Sequence, residues 1–249
     1  MTAKHPMLKL LRAVPGARAR LICIPYAGGG AWSYRAWAPQ LPDGVELLSV
    51  QLPGREDRLM EPPYNDVHTL VAELAGALEP ELALPYALFG HSMGALIAFE
   101  LVRELRRRGA PPASQLLASG YRAPQVPCRM PPIHELDDDA FVDEVVRRYD
   151  AVPPAARESK ELMELVLPGL RGDISVCDTY VYSEDEPLPC SITAIGGTED
   201  DNVSRQDLEA WARQTSASFA CHMLPGGHFF LQTAQEQVLE LVAGRLGEV

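Results

Sequence analysis

Tyr86-Ala87-Leu88-Phe89-Gly90-His91-Ser92-Met93-Gly94-Ala95 decides how this chain is read. The stretch opens on an unbroken apolar run, as in a strand covered on both faces. A Gly-x-Ser-x-Gly turn follows, and then a helical pattern from Ala95 to Arg108 that Gly109 stops. A strand that turns so sharply into a helix needs glycines flanking the serine, because a larger side chain would clash. The same turn lifts the serine Oγ above the carboxyl edge of the sheet. Ser92 is therefore the candidate nucleophile. The blander reading of these residues is a tight turn whose serine only caps the helix.

On either side of this stretch, further apolar runs read as buried strands: Leu21 to Pro25, Val45 to Val50, Gln115 to Ser119, Ser191 to Ile195 and Phe219 to Leu224. Amphipathic stretches separate them. Val67, Leu70, Val71, Leu74 and Leu78 share one helical face, with Asn65 or Asp66 as cap, and Leu231 to Leu246 closes the chain as a helix. Strand alternating with helix predicts an open, mostly parallel α/β sheet flanked by helices. The chain reads as a single domain over 1–249. Only about 124–185 breaks the alternation. It opens on Pro124, Pro127, Pro131 and Pro132, continues as a helix from Asp137 to Tyr149, and has a second helical stretch from Leu162 to Leu167 that should stop before Pro168. This is expected to be a helical insertion on the sheet.

A serine hydroxyl is a poor nucleophile until a base takes its proton. A sheet carrying such a serine draws its acid and then its histidine from later strand ends. His228 lies in Pro225-Gly226-Gly227-His228-Phe229-Phe230, between the last strand and the last helix. His91 is held in the turn, His222 lies inside a strand, and His5, His68 and His134 flank segments without other signals. After Ile195 come Glu199, Asp200 and Asp201; the spacing to Val203 favours Asp200, with Asp201 and then Glu199 as alternatives. A tetrahedral intermediate needs two backbone N–H donors. Met93 follows the nucleophile, and Ala27 sits in the glycine-rich loop Pro25-Tyr26-Ala27-Gly28-Gly29-Gly30. That loop lacks the Gly-Lys-Ser/Thr of a phosphate cradle.

Charge and cysteine usage narrow the class. The 249 residues carry 22 basic and 34 acidic side chains, a net charge of −12. That disfavours nucleic acid or an anionic membrane surface as partner. Cys23, Cys128, Cys177, Cys190 and Cys221 are odd in number and scattered, with no Cys-x-x-Cys pair, which fits a reducing cytoplasm better than a disulfide framework or zinc site. Neither a signal peptide nor a membrane span is legible, no metal or other cofactor is expected, and the chain is expected to act as a monomer.

Pro25-Tyr26-Ala27-Gly28-Gly29, Gln51-Leu52-Pro53-Gly54-Arg55-Glu56-Asp57-Arg58, Gly90 to Ala95, Ser119-Gly120-Tyr121-Arg122-Ala123-Pro124 and Pro225 to Leu231 stand in this order over nearly the whole chain. Together they resemble a type II thioesterase of polyketide or nonribosomal peptide biosynthesis, an α/β-hydrolase. The Pro-Gly-Arg-Glu-x-Arg and Gly-Gly-His-Phe-Phe segments are far more specific than Gly-x-Ser-x-Gly. The resemblance implies hydrolysis of acyl groups from the phosphopantetheine thiol of carrier domains, removal of stalled or aberrant chains, and an insertion that acts as a lid. Two departures stand out. Asp201-Asn202 lacks the proline usual in the acid loop, and Gly120-Tyr121-Arg122 replaces Gly-Arg-Arg or Gly-Arg. Alternatives on these residues are a carboxylesterase or chain-releasing thioesterase of the same fold, or a non-catalytic carrier-binding protein. Carriers of such pathways are acidic, so a chain at −12 needs a local basic rim to receive one. Arg58 and Arg122 are the candidate docking residues. Arg55 is expected either there or in an ion pair with Glu56 or Asp57. Arg103, Arg106, Arg107 and Arg108 are expected on a solvated helix face.

Overall fold

The computed structural model describes residues 5–149 and 159–247. Seven strands form one sheet in the order β1-β3-β2-β4-β5-β6-β7. They are β1 (Leu8–Arg12), β2 (Ala19–Ile24), β3 (Val45–Val50), β4 (Tyr86–His91), β5 (Gln115–Ser119), β6 (Ser191–Gly197) and β7 (Phe219–Leu224). Only β1 runs antiparallel, pairing Leu8 with Val50. Sequence reading missed β1, because Lys9 breaks its apolar run and half-buried edge positions give a weak signal.

Seven α-helices accompany the sheet among the described residues: α1 (Val67–Leu78), α2 (Met93–Arg107), α3 (Asp138–Tyr149), α4 (Lys160–Asp178), α5 (Arg205–Glu209), α6 (Phe230–Thr233) and α7 (Gln235–Leu246). Asp66 caps α1 by accepting from the Thr69 N–H. One apolar layer packs α1 and α2 against the sheet through residues such as Leu74, Leu96 and Leu88. A second layer covers the other face with Tyr34, Trp37, Phe89 and the inner side of α7. Tyr34, Trp37 and Phe89 meet edge-on, with centroids 4.8–5.9 Å apart, and the Tyr34 hydroxyl donates to the Ile24 carbonyl.

Three local expectations need correction. The second helix of the insertion does not stop at Pro168; α4 passes through it to Asp178. Proline removes one hydrogen bond, but Leu170 and Ile174 beyond it join Phe141 and Val145 in a small core of their own, which outweighs that loss. The closing helix is interrupted at Ala234. Arg103 is not solvated: it is 2% exposed, binds Glu100, and donates to the Ser183 carbonyl, fastening the end of the insertion to α2. Residues 150–158 of the expected insertion lie outside the described residues.

Candidate active site

Every backbone segment implicated by sequence emerges at the carboxyl edge of the parallel strands. Ser92 follows β4 at the middle of the sheet, the Ala27 loop follows neighbouring β2, the acid loop follows β6, and the His228 loop follows β7. The sequence order reverses about β2, with β3 to one side and β4 to the other, which opens a crevice above the strand ends.

Ser92 has φ 54° and ψ −121°, a conformation a serine adopts only under constraint. The cost is about 1–3 kcal/mol, and the surroundings impose it. The Ser92 N–H donates to the Ser119 carbonyl at 2.7 Å, and the Ala95 N–H to the Ser92 carbonyl at 2.9 Å. A Cβ on Gly90 would strike the Gly94 carbonyl, and one on Gly94 would strike the Ile24 carbonyl. The spacing of the motif thus reflects two backbone approaches too close for any side chain.

The side chains meet as a hydrogen-bonded series. Asp200 Oδ2 lies 2.8 Å from His228 Nδ1, and His228 Nε2 lies 3.0 Å from Ser92 Oγ. A carboxylate only accepts, so Nδ1 carries the hydrogen and Nε2 is left to accept from the hydroxyl. The Asp200 side chain is fully buried and that of His228 is 7% exposed. Asp201 and Glu199 are exposed. The acid and histidine loops are tied together, the Glu199 N–H donating to the Gly226 carbonyl and the Thr198 N–H to the Leu224 carbonyl. Asn202, standing where the resembled pattern has proline, donates its backbone N–H to Asp200 Oδ1 at 2.9 Å. Proline could not do so.

Above the series opens a cleft. Ala27 and Met93 both line it. As the first residue of α2, Met93 has an N–H without an acceptor in the helix. The remaining wall mixes Ile133, Val145, Tyr149, Leu170 and Ile174 from the insertion with Tyr121 and Arg122. Burial pushes the Tyr121 and Tyr149 phenols well up, so both stay protonated.

Arg122 lines the cleft, donates through Nε to the Val126 carbonyl, and stacks on the Tyr121 ring. Arg58 is held by Glu61 and by the Gln51 carbonyl, with its side chain 11% exposed. Arg55 does not pair with Glu56 or Asp57. Its guanidinium meets Asp173 of α4 in a bidentate pair at 2.6 and 2.7 Å. An acid 118 positions away leaves no sequence signal.

Sequence reading also passed over His91. Its ring is fully buried, 5.3 Å from that of His228 between centroids, and Nδ1 meets Ser119 Oγ at 2.9 Å. Desolvation, and secondly the neighbouring His228, push its pKa well below the usual histidine value, so His91 is neutral. Among the described residues no cluster of histidine, cysteine and carboxylate side chains could hold a metal ion, and no helix is long and apolar enough to cross a membrane.

Residues 19–246 match the model of the thioesterase domain family. The chain is 43% identical to the gramicidin S biosynthesis protein GrsT of Aneurinibacillus migulanus over 230 residues, which covers 92% of this chain and 90% of that one. Among solved structures, the type II thioesterase BorB from the borrelidin biosynthetic cluster superposes with a TM-score of 0.88 at 34% identity, covering 96% of this chain and 97% of its own. RedJ, the thioesterase of the prodiginine pathway in Streptomyces coelicolor, gives 0.86 at 38% identity, covering 94% and 95%.

Proposed function

The chain belongs to the thioesterase domain family, and on that premise we propose that it is a discrete type II thioesterase acting on acyl groups carried by phosphopantetheine. The observation that supports this reading best is the unbroken series from Asp200 through His228 to Ser92 at the floor of a partly apolar cleft.

In this reading Ser92 Oγ attacks the thioester carbonyl while its proton passes to His228 Nε2. The developing oxyanion is received by the N–H groups of Ala27 and Met93. The tetrahedral intermediate collapses, the C–S bond breaks, and the pantetheine sulfur leaves with the proton from His228. A water molecule then gives a proton to His228 and attacks the acyl-serine, releasing the free acid and restoring the serine. Asp200 holds the imidazole tautomer and stabilises the imidazolium formed in each half-reaction. No step calls on a metal or organic cofactor.

The partners are acyl or peptidyl carrier domains, with Arg58 and Arg122 as the docking cations. The insertion over 124–185 serves as a lid on the single domain, and the protein works as a monomer in the cytoplasm. Relatives named for gramicidin S, borrelidin and prodiginine biosynthesis support removal of stalled or aberrant chains as the role.

A panel of acyl groups on several carriers, followed by intact-protein mass spectrometry, tests the assignment. Catalytic loss of the acyl mass, abolished when a serine-directed phosphonate has labelled Ser92, is the expected result. Turnover of simple esters with no turnover of any acyl-carrier would replace it with a carboxylesterase. No phosphonate adduct and no turnover would leave a non-catalytic carrier-binding protein.

A further inference from the structure

The Gln51 to Arg58 segment holds one of the two most specific motifs in the chain, yet the chemistry above uses no part of it except Arg58. We infer that Arg55 and Asp173 are positioning residues: their buried ion pair aims the Ala27 N–H at the oxyanion and ties that aim to the docking of helix α4. The inference rests on the oxyanion role proposed for Ala27.

The loop from Pro25 to Gly30 contains three adjacent glycines, and such a backbone has little stiffness of its own. Its order comes from the contacts around it. Asp173 Oδ2 accepts from the Gly28 N–H at 2.7 Å. Arg55 Nη1 donates to the Gly29 carbonyl at 3.0 Å while both of its terminal nitrogens grip Asp173. The Gly29 N–H in turn donates to the Tyr26 carbonyl at 2.8 Å. That last bond sets the direction of the donor. The Tyr26 carbonyl and the Ala27 N–H share one planar trans peptide, so fixing the carbonyl toward Gly29 turns the N–H the opposite way. Gln51 extends the brace, its Oε1 lying 3.4 Å from the Ala31 N–H.

Arg55 and Asp173 come from different parts of the chain and meet because α4 approaches unusually closely. A Cβ on Gly169 would lie 2.6 Å from the Gly54 carbonyl, and one on Gly172 would lie 2.6 Å from the Tyr64 carbonyl. Gly169 and Gly172 thus let the helix sink onto the 53–64 loop and deliver the next residue, Asp173, into the oxyanion loop. The paired side chains are only 9% and 4% exposed. A buried ion pair is weak evidence for stability, since apolar replacements often fold as well. Its charge-assisted, bidentate geometry is well suited to holding a direction.

The test uses two variants of the full chain, Asp173→Asn and the double replacement Arg55→Met with Asp173→Leu. The second keeps the buried volume apolar if the first fails to fold. Thermal melts select folded proteins. Hydrolysis of an N-acetylcysteamine acyl thioester should lose about 10- to 100-fold in kcat, short of the loss from deleting an oxyanion donor outright, with KM within about twofold. Affinity for an alkyl trifluoromethyl ketone, whose adduct with Ser92 Oγ places an oxyanion in the hole, should fall by the same factor. Affinity for the matching thioether, which has no carbonyl, should hold. Wild-type affinity for the ketone in a folded variant would overturn the inference. So would parallel losses for ketone and thioether, the mark of a merely structural role. If the unmodified protein bound the ketone no better than Ser92→Ala does, the proposed function itself would fall, and the positioning role with it.

Discussion

The ring of Tyr149, the last described residue of α3, stands 5.1 Å from that of His228 at a tilt of 49°. The insertion therefore forms part of the packing that holds the imidazole. Offset ring pairs of this kind contribute about 0.5–1.5 kcal/mol. Tyr149→Ala should lower the single-turnover rate on a small acyl thioester by about 2- to 10-fold, whereas Tyr149→Phe should stay near wild type. Equal losses for the two would assign the effect to the hydroxyl.

The neighbouring carboxylates make a sharper comparison. Asp200 is buried against His228 Nδ1, and Asp201 faces solvent. Asp200→Asn keeps the shape but favours the wrong tautomer, so kcat should fall by about three to four orders of magnitude. Asp201→Asn should change it less than about twofold. Steady-state kinetics on the two variants decide the assignment, and the reverse ranking would move the role to Asp201.

His91 gives the fold a pH dependence. Its folded pKa is depressed by burial, so the folded protein keeps the ring neutral while the unfolded chain takes up a proton once pH drops below about 6.5. In that window the unfolded state binds more protons, and stability is lost as pH falls toward the depressed folded value. His91→Gln should flatten this part of the profile. Urea midpoints at about pH 7 and about pH 5 should differ less in the variant than in wild type. An unchanged difference would place the acid sensitivity elsewhere.

Arg58 and Arg122 separate docking from pocket effects. Arg58→Glu should raise KM for acyl-carriers by about 3- to 10-fold, less at high salt, and leave N-acetylcysteamine thioesters nearly unaffected. Arg122→Glu should raise KM for acyl-carriers as well, but because Arg122 also lines the cleft it should affect the small thioesters too. Equal losses on both for Arg58→Glu would make it a structural residue, held as it is by Glu61.

Much of this architecture is legible in sequence because the strands β2 to β7 are short, apolar and separated by helical periodicity. Ser92 and His228 stand next to glycines whose spacing reports backbone contacts, and so both can be proposed without coordinates. β1 escapes because an edge strand with Lys9 in it has no apolar signature. α4 is misread at Pro168, where propensity predicts a stop and tertiary packing overrides it. Asp173 and His91 escape for a different reason. Their importance lies in partners brought close by the fold, Arg55 and Gly28 for one and Ser119 and His228 for the other, and neither pairing has a fixed spacing. The Asp200 choice lies between these cases: the loop spacing favours it, and its burial beside His228 supports the preference on separate physical grounds.

The proposed function turns on Ser92 acting as the nucleophile for carrier-bound acyl thioesters. The most direct measurement is turnover of an acyl-carrier by wild type and by Ser92→Ala, read by intact-protein mass spectrometry with the fold of each checked by its thermal melt. Ser92→Ala should lose several orders of magnitude in turnover while melting like wild type, because the serine acts as one unit with its base and acid. Retention of more than about a tenth of wild-type turnover would contradict it.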